Sequence, residues 1–255
     1  MGERPAVTLA DALERDTFAF WEGFARRPGG ESQRESGATW FRTGVPLANY
    51  NGVLGNAADV ASVLERVRSW HLPARWIVNS ANAADGLEHA LAESGCAIAE
   101  DAPGMVAEIA GLPAPAATDM TMDVVRDAAA FDEWADVFTD AFGIPAGVAA
   151  DVRAAHAWPC LHDANRTYLV MRGQEGAVAT GLLHSRTGVA GVYAIGVRRA
   201  LQKQGLGALA TLLTVREGAR RGAELAMLQA TAQGVPVYQR LGFTSITSFR
   251  SWRIA

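Results

Sequence analysis

Cysteine is scarce in this chain. Its 255 residues carry only Cys96 and Cys160, which leaves no disulfide framework and suits a reducing compartment. Long apolar runs are missing too, and none approaches the roughly 20 residues that a membrane span requires. Met1 to Asp11 holds Glu3, Arg4 and Asp11 without an apolar core, which argues against a signal peptide. Charged residues make up 20% and the net charge is −4, so no general affinity for nucleic acid is implied. These absences predict a soluble cytoplasmic protein with neither nucleic acid nor membrane as partner. His156, Cys160, His162 and Asp163 lie close in sequence but fit no standard zinc spacing, and no metal is expected.

What is present is concentrated near the C-terminus. Gly191 to Val197 is β-branched and apolar and reads as a buried strand. Gln202-Lys203-Gln204-Gly205-Leu206-Gly207 follows, and from Ala208 to Gly218 the chain has helical spacing of Leu and Ala. The glycines therefore sit where a loop enters a helix, an end with unpaired N–H groups and partial positive charge that attracts phosphate. Glycine lets the backbone approach without a Cβ in the way. Lys203, Arg198 and Arg199 add positive charge. Gly205-x-Gly207-x-x-Ala210 also satisfies the dinucleotide-binding Rossmann pattern. Seven residues separate strand from glycine, however, and the next strand ends in Gln229, Ala230 and Thr231 with no carboxylate, so that reading fails.

A second run lies one supersecondary unit on: Val237-Tyr238-Gln239-Arg240-Leu241-Gly242-Phe243. Thr231 can cap a short helix there, Pro236 suits its first turn and Gly242 its stop. Tyr238 projects from that helix, either as packed core or toward the end of the strand before the loop.

In order and spacing these two runs resemble the GNAT superfamily of acyl-CoA-dependent N-acyltransferases. Gln202, Gly205 and Gly207 match the family's pyrophosphate loop; Tyr238, Leu241, Gly242 and Phe243 match its Tyr-x-x-Leu-Gly-Phe run. The resemblance implies a mixed α/β fold, with backbone N–H groups from Gln202 through Lys203, Gln204, Gly205, Leu206 and Gly207 to Ala208 holding the CoA pyrophosphate. It implies that Ile195, Gly196 and Val197 pair with the pantetheine arm, and that Tyr238 protonates the leaving thiolate. The co-substrate is acetyl-CoA or another acyl-CoA, and the acceptor an amine of a small molecule or peptide. Two alternatives stay open: a non-catalytic acyl-CoA-binding module, and the same fold with a longer acyl donor.

Gly111 to Asp119 is a Pro/Ala linker. It suggests an N-terminal α/β domain at 1–110, a linker at 111–120 and a catalytic domain at 121–255. Within the catalytic part, an initial strand at Val124-Val125 and then helix, helix, three-strand meander, helix, strand, helix and strand match the order of a GNAT domain. In the N-terminal part, helices at 11–26, 59–70 and 83–93 alternate with strands at 74–79, 97–100 and 105–109. One helical face carries Phe18, Trp21 and Phe24. That order echoes the back half of a GNAT domain, either as a degenerate second copy or as an unrelated cap. The stretch Ser32 to Gly55, with Trp40, Asn49, Tyr50 and Asn51, reads as a loop-rich wall of the acceptor pocket.

Family members often place a general-base carboxylate on the fourth strand. Gly188 to Val197 has none, which leaves His184 on the preceding strand as the substitute, since imidazole titrates near neutrality. His156, Trp158 and Tyr193 are the candidate acceptor contacts, on a helix–loop between Gly143 and Asp163 and on the fourth strand.

Overall fold

The computed structural model describes residues 8–186 and 188–255, so Glu3 and Arg4, named above against a leader, lie outside the described residues. Helix α1 (Leu9–Glu22) begins with a closed capping box. Thr8 Oγ1 accepts from the Asp11 N–H and Asp11 Oδ2 from the Thr8 N–H, each at 3.1 Å. Its buried face carries Leu13, Asp16, Thr17 and Phe20, rotated from the face that the aromatic spacing predicts. A 3₁₀ turn, Gly23–Arg26, then buries Phe24.

The stretch predicted to be loop-rich is instead largely strand. A hairpin pairs β1 (Glu31–Glu35) with β2 (Ala38–Arg42), and β3 (Asn51–Leu54) follows. Ser36 and Gly37 make its turn at φ 50° and 97°, the conformation that matches a two-residue turn to the strand twist. β1 is a polar edge strand, so it lacks the apolar alternation by which a strand shows itself in sequence.

Helix α2 (Val60–Arg68), β4 (Ala74–Asn79) and α3 (Leu87–Glu93) fall inside their expected ranges. The two strands predicted next are one, β5 (Ala97–Glu108). Pro103 and Gly104 read as breakers in sequence, yet here they are bridged by pairing on both sides. Then come β6 (Thr121–Val124), α4 (Ala128–Ala141) and α5 (Ala146–His162), the last unbroken through Pro159 where a helix–loop was predicted. The meander is β7 (Arg166–Gly173), β8 (Gly176–Arg186) and β9 (Val189–Val197). Helix α6 (Leu206–Arg220), β10 (Leu225–Gln229), α7 (Val235–Leu241) and β11 (Thr244–Ile254) complete the chain. Among the described residues no helix is long and apolar enough to cross a membrane.

All these strands join one mixed sheet, ordered β1-β2-β3-β4-β11-β5-β10-β9-β8-β7-β6. The order contains an exchange. β11, last in the C-terminal half, pairs with β4 of the N-terminal half, while β5, last in the N-terminal half, pairs with β10. β5 and β11 also pair with each other along most of their length. The unit β3-α2-β4-α3-β5 thereby repeats as β9-α6-β10-α7-β11, each with a parallel strand pair joined through a helix.

Phe249 of β11 shows why the halves cohere. It is 2% exposed and packs with Leu13, Phe41 and Ile77 from one half and Met227 from the other. Phe249→Ala should cost about 3–5 kcal/mol and leave a single calorimetric unfolding transition. Two separated transitions would show that the halves unfold independently.

Candidate active site

Strands β9 and β10 run parallel but pair only where Val189–Gly191 meets Leu225–Met227. Beyond that point they part, because β10 stays bound to β5 as far as Gln229 while β9 follows β8 to Val197. A cavity of about 300 Å³ opens between them, walled by Val192 to Ile195 on one side and by Gln229, Ala230 and Thr231 on the other, with Tyr238 beside them. A bulge shapes the β9 side. Gly181 of β8 faces both Ala194 and Ile195, and Ala194 is held at φ 50°. Trp134 Nε1 donates to the Gly181 carbonyl (3.2 Å) and the Thr180 hydroxyl to the Ala194 carbonyl (2.7 Å), which meets carbonyls that regular pairing would otherwise satisfy.

After Val197 a 3₁₀ turn, Arg199–Leu201, leads to α6. Gln202, Lys203, Gln204 and Gly205 are exposed, with Lys203 at φ 64° and Gly205 at φ 82° as N-cap. No side chain caps this helix, so the N–H groups at Leu206, Gly207 and Ala208 are open to an anion. The basic cluster is only partly available. Arg198 Nε donates to the Ala177 carbonyl (2.7 Å), and the Arg199 N–H to Asp140 Oδ2 (2.8 Å). Lys203 is the only lysine of the chain. Along β9, Ile195 lines the cavity, Val197 is buried beside Ala210, and Gly196 lies against α4, where a Cβ would meet Phe142 and Ala141 at 2.8 and 2.9 Å.

Thr231 organises the start of the second motif: its hydroxyl accepts from the Gly234 N–H at 3.2 Å, and its carbonyl from the Val235 N–H at 3.1 Å. Gly242 ends α7 at φ 104°, and the Phe243 N–H returns to the Tyr238 carbonyl at 3.0 Å. Tyr238 faces the cavity. Burial pushes its phenol up, and the Thr211 hydroxyl draws it partly back.

The remaining wall is aromatic: Phe20, Trp21 and Phe24 from the first helix and turn, Tyr50 before β3, Phe138 and Phe142 from α4. Asn49 and Tyr50 of the Ser32 to Gly55 stretch take part, while Trp40 is packed elsewhere and Asn51 is consumed by backbone groups of Thr43, Val45 and Pro73. His156 lines the cavity, but both its ring nitrogens are engaged, Nε2 by the Tyr50 hydroxyl (2.8 Å) and Nδ1 by that of Tyr168 (3.0 Å). Trp158 is not in the wall; it stacks on His162 with ring centres 5.1 Å apart. Tyr193 is in the wall, stacked on Phe20 at 3.7 Å.

His184 sits elsewhere. It is 3% exposed and borders a separate pocket of about 550 Å³ with Arg26, Arg186 and Arg221. A carboxylate joins the two places. His184 Nδ1 lies 2.8 Å from Asp16 Oδ1, and the Tyr193 hydroxyl donates to Asp16 Oδ2 at 2.7 Å. Gly191 makes room for that carboxylate, since a Cβ there would collide with it. Sequence reasoning missed Asp16, yet a signal existed: Asp16 and Thr17 interrupt the stripe Leu13 to Phe20. It also missed Arg75 of β4, which lines the cavity while 8% exposed.

The residues weighed above for a metal have separate occupations. His156 is held by tyrosines, His162 Nδ1 meets the Trp158 carbonyl, and Asp163 pairs with Arg166 at 3.1 Å. Among the described residues no group of three or more His, Cys, Asp or Glu gathers as a metal site would. Cys96 and Cys160 are both free.

Burial, with Arg166 nearby, holds the His156 pKa well below its usual 6.5. The unfolded chain therefore binds this proton first as pH falls through about 6.5, and stability is lost on the acid side. Urea midpoints should drop between about pH 7 and pH 5, and His156→Asn should flatten that slope. Parallel slopes would assign the loss to another group.

Comparison with curated protein sequences finds no match. Residues 131–243 match the model of the acetyltransferase (GNAT) family. Among solved structures, a GCN5-related N-acetyltransferase from Kribbella flavida is similar at TM-score 0.72 and 21% identity, covering 94% of this chain and 95% of that one. One from Sphaerobacter thermophilus has TM-score 0.61 at 14% identity, over 88% and 75% of the two chains. A tandem GNAT protein from the clavulanic acid biosynthesis pathway has TM-score 0.57 at 15% identity, over 89% and 84%. The mixed sheet, the parted strands and these comparisons agree: residues 131–243 match the GNAT acetyltransferase family, and the chain has the fold of the GNAT structures it resembles.

Proposed function

We propose that this chain transfers an acetyl group from acetyl-CoA to an amine of a small molecule or peptide. One observation carries the reading: β9 and β10 part beside an uncapped helix N-terminus, and Tyr238 borders the opening. The residues present fit CoA. The N–H groups from Gln202 to Ala208 would hold its pyrophosphate, with Lys203 adding charge. The backbone at Ile195, Gly196 and Val197 would pair with the pantetheine arm, and the bulge would direct an N–H to the acyl carbonyl, a small oxyanion hole. Two free cysteines accord with a cytoplasmic setting.

The amine nitrogen attacks the thioester carbonyl, and the carbon–sulfur bond breaks to release CoA thiolate. Tyr238, a phenol protonated at neutral pH and pushed further up by burial, donates to that sulfur as charge develops. The amine must lose a proton, and β9 offers no carboxylate for it. Tyr193 takes that proton as its own passes to Asp16. His184 then serves to hold the second oxygen of Asp16 rather than to act as the base itself. His156 contributes a neutral ring to the acceptor wall.

We also assign residues 1–110 to a degenerate GNAT-like unit, joined by 111–120 to the catalytic unit at 121–255. Its equivalent helix, α2, has Asp59 in the place an anion would take, with Asp59 Oδ1 accepting from the Ser62 N–H at 3.0 Å. No tyrosine occurs on α3.

Tyr238→Phe should lower kcat roughly 10²-fold, while CoA still protects Lys203 from amine-directed labelling. Unchanged turnover would remove the acid role. Unprotected Lys203 would remove the CoA site, and protection without thiol release from any amine would leave a binding module. Asp16→Asn should shift the alkaline-going limb of the pH–rate profile and lower kcat, although Arg26, Arg186 and Arg221 still surround His184. A lowered Tm with an unmoved profile would make Asp16 a structural residue only.

A further inference from the structure

Among the described residues two arginines are buried, and they are partnered to different degrees. Arg166 is 5% exposed and is held by Asp163 Oδ2 at 3.1 Å and the Phe20 carbonyl, with only its Nη1 left without an acceptor. Arg75 is 8% exposed and its side chain has no hydrogen-bond partner among the described residues; its Nε and Nη2 atoms are buried. It is fixed by backbone pairing between Gly52 of β3 and Arg253 of β11, and its guanidinium stacks on the Trp21 indole at 4.1 Å. The Trp21 Nε1–H is likewise buried and unpartnered. Both side chains line the cavity that Tyr238 borders. Burial lowers Arg75 only to about 10, helped by Glu100, so it stays charged at neutral pH. A buried guanidinium left without an acceptor is costly, and groups that offer only donors define a site for an anion.

We propose that Arg75, seconded by Trp21 Nε1, is the subsite for a carboxylate on the acceptor, so that the substrate is a small amine that is also a carboxylic acid. The proposal rests on the acetyltransferase reading above and names the substrate class of that same site. A planar fork of N–H donors matches a planar carboxylate in a two-point contact. Glu100 in the same wall makes no ion pair with Arg75 among the described residues and disfavours a dianionic phosphate. Asn49, Arg75 and Glu100 also border an adjoining pocket of about 290 Å³ with Arg253, which gives the acid a basic approach. Three strand spacings, about 14 Å, separate β4 from β10. The amine and the carboxylate therefore belong at opposite ends of the acceptor.

The test uses the full chain with a ladder of ω-amino acids from glycine to 6-aminohexanoate, the n-alkylamines of matching length, and the ω-aminoalkylphosphonates. Thiol release from acetyl-CoA and calorimetric binding are read in parallel. One rung of the amino acid ladder should exceed its alkylamine and its phosphonate by about tenfold or more in kcat/KM, the scale of a charge-assisted contact. Arg75→Met should raise KM for that acid by about the same factor, spare the alkylamine, and raise the Tm of the unliganded protein by removing an unpaired charge. Arg75→Lys keeps the charge without the fork and should recover only part of the loss, which guards against a variant that does not fold. Equal turnover of acids and alkylamines, a preference for phosphonates, or indifference to both variants would overturn the proposal while leaving the transferase intact. Arg75-dependent binding of the acid with no thiol release would keep the subsite and overturn the transferase reading.

Discussion

The antiparallel pairing of β5 with β11 is the contact on which the rest depends. It places the last strand of each half inside the sheet of the other, so neither half has a complete edge of its own. Backbone pairing across that seam is non-directional with respect to side chains, but it fixes where they point. Because β11 stands between β4 and β5, Arg75 lies three strands from β10, at the far wall of the cavity. α1 packs on the same sheet and brings Asp16 within hydrogen-bond reach of Tyr193 and His184. Under the proposed function, the N-terminal half supplies Asp16, Arg75 and Trp21 with part of the aromatic wall to the acceptor site, and the C-terminal half supplies Tyr193, the rest of that wall and the CoA contacts.

Buried charge distinguishes scaffold from site. Arg166 is held by Asp163 and the Phe20 carbonyl and lies over the rings of Phe20 and Phe24, so it holds the first helix to β7. Asp16 is satisfied on both oxygens, one by His184 and one by Tyr193. Arg166 keeps one buried donor, Nη1, without an acceptor, whereas the Arg75 side chain has two, Nε and Nη2, and no hydrogen-bond partner at all among the described residues. Folding energy tolerates such a group poorly, which is why its position in a cavity wall carries more information than its burial alone.

The repeated strand–helix–strand–helix–strand unit shows how one architecture serves two ends. α6 starts at Gly205, in the left-handed region and without a side-chain cap; α2 starts at Asp59, whose carboxylate already occupies the helix end. The same partial charge is left open to a ligand in one case and neutralised within the chain in the other. One residue type at the cap separates them.

Much of this was legible in sequence where the signal is local. The glycine turn into α6, Gly242 ending α7, and the helical spacing of α2 and α4 depend on backbone preference and apolar period within a few residues, and those elements form where the residues predict. β1 was illegible because a polar edge strand has no apolar face, and β5 because Pro103 and Gly104 break a local pattern that neighbours on both sides restore. His184 was found but not its role, since its carboxylate partner lies 168 residues away. The loop, the tyrosine and the family they resemble are legible in the order of residues alone. Which charges meet is not legible there, because ion pairing and burial are set by strands brought together across the whole chain.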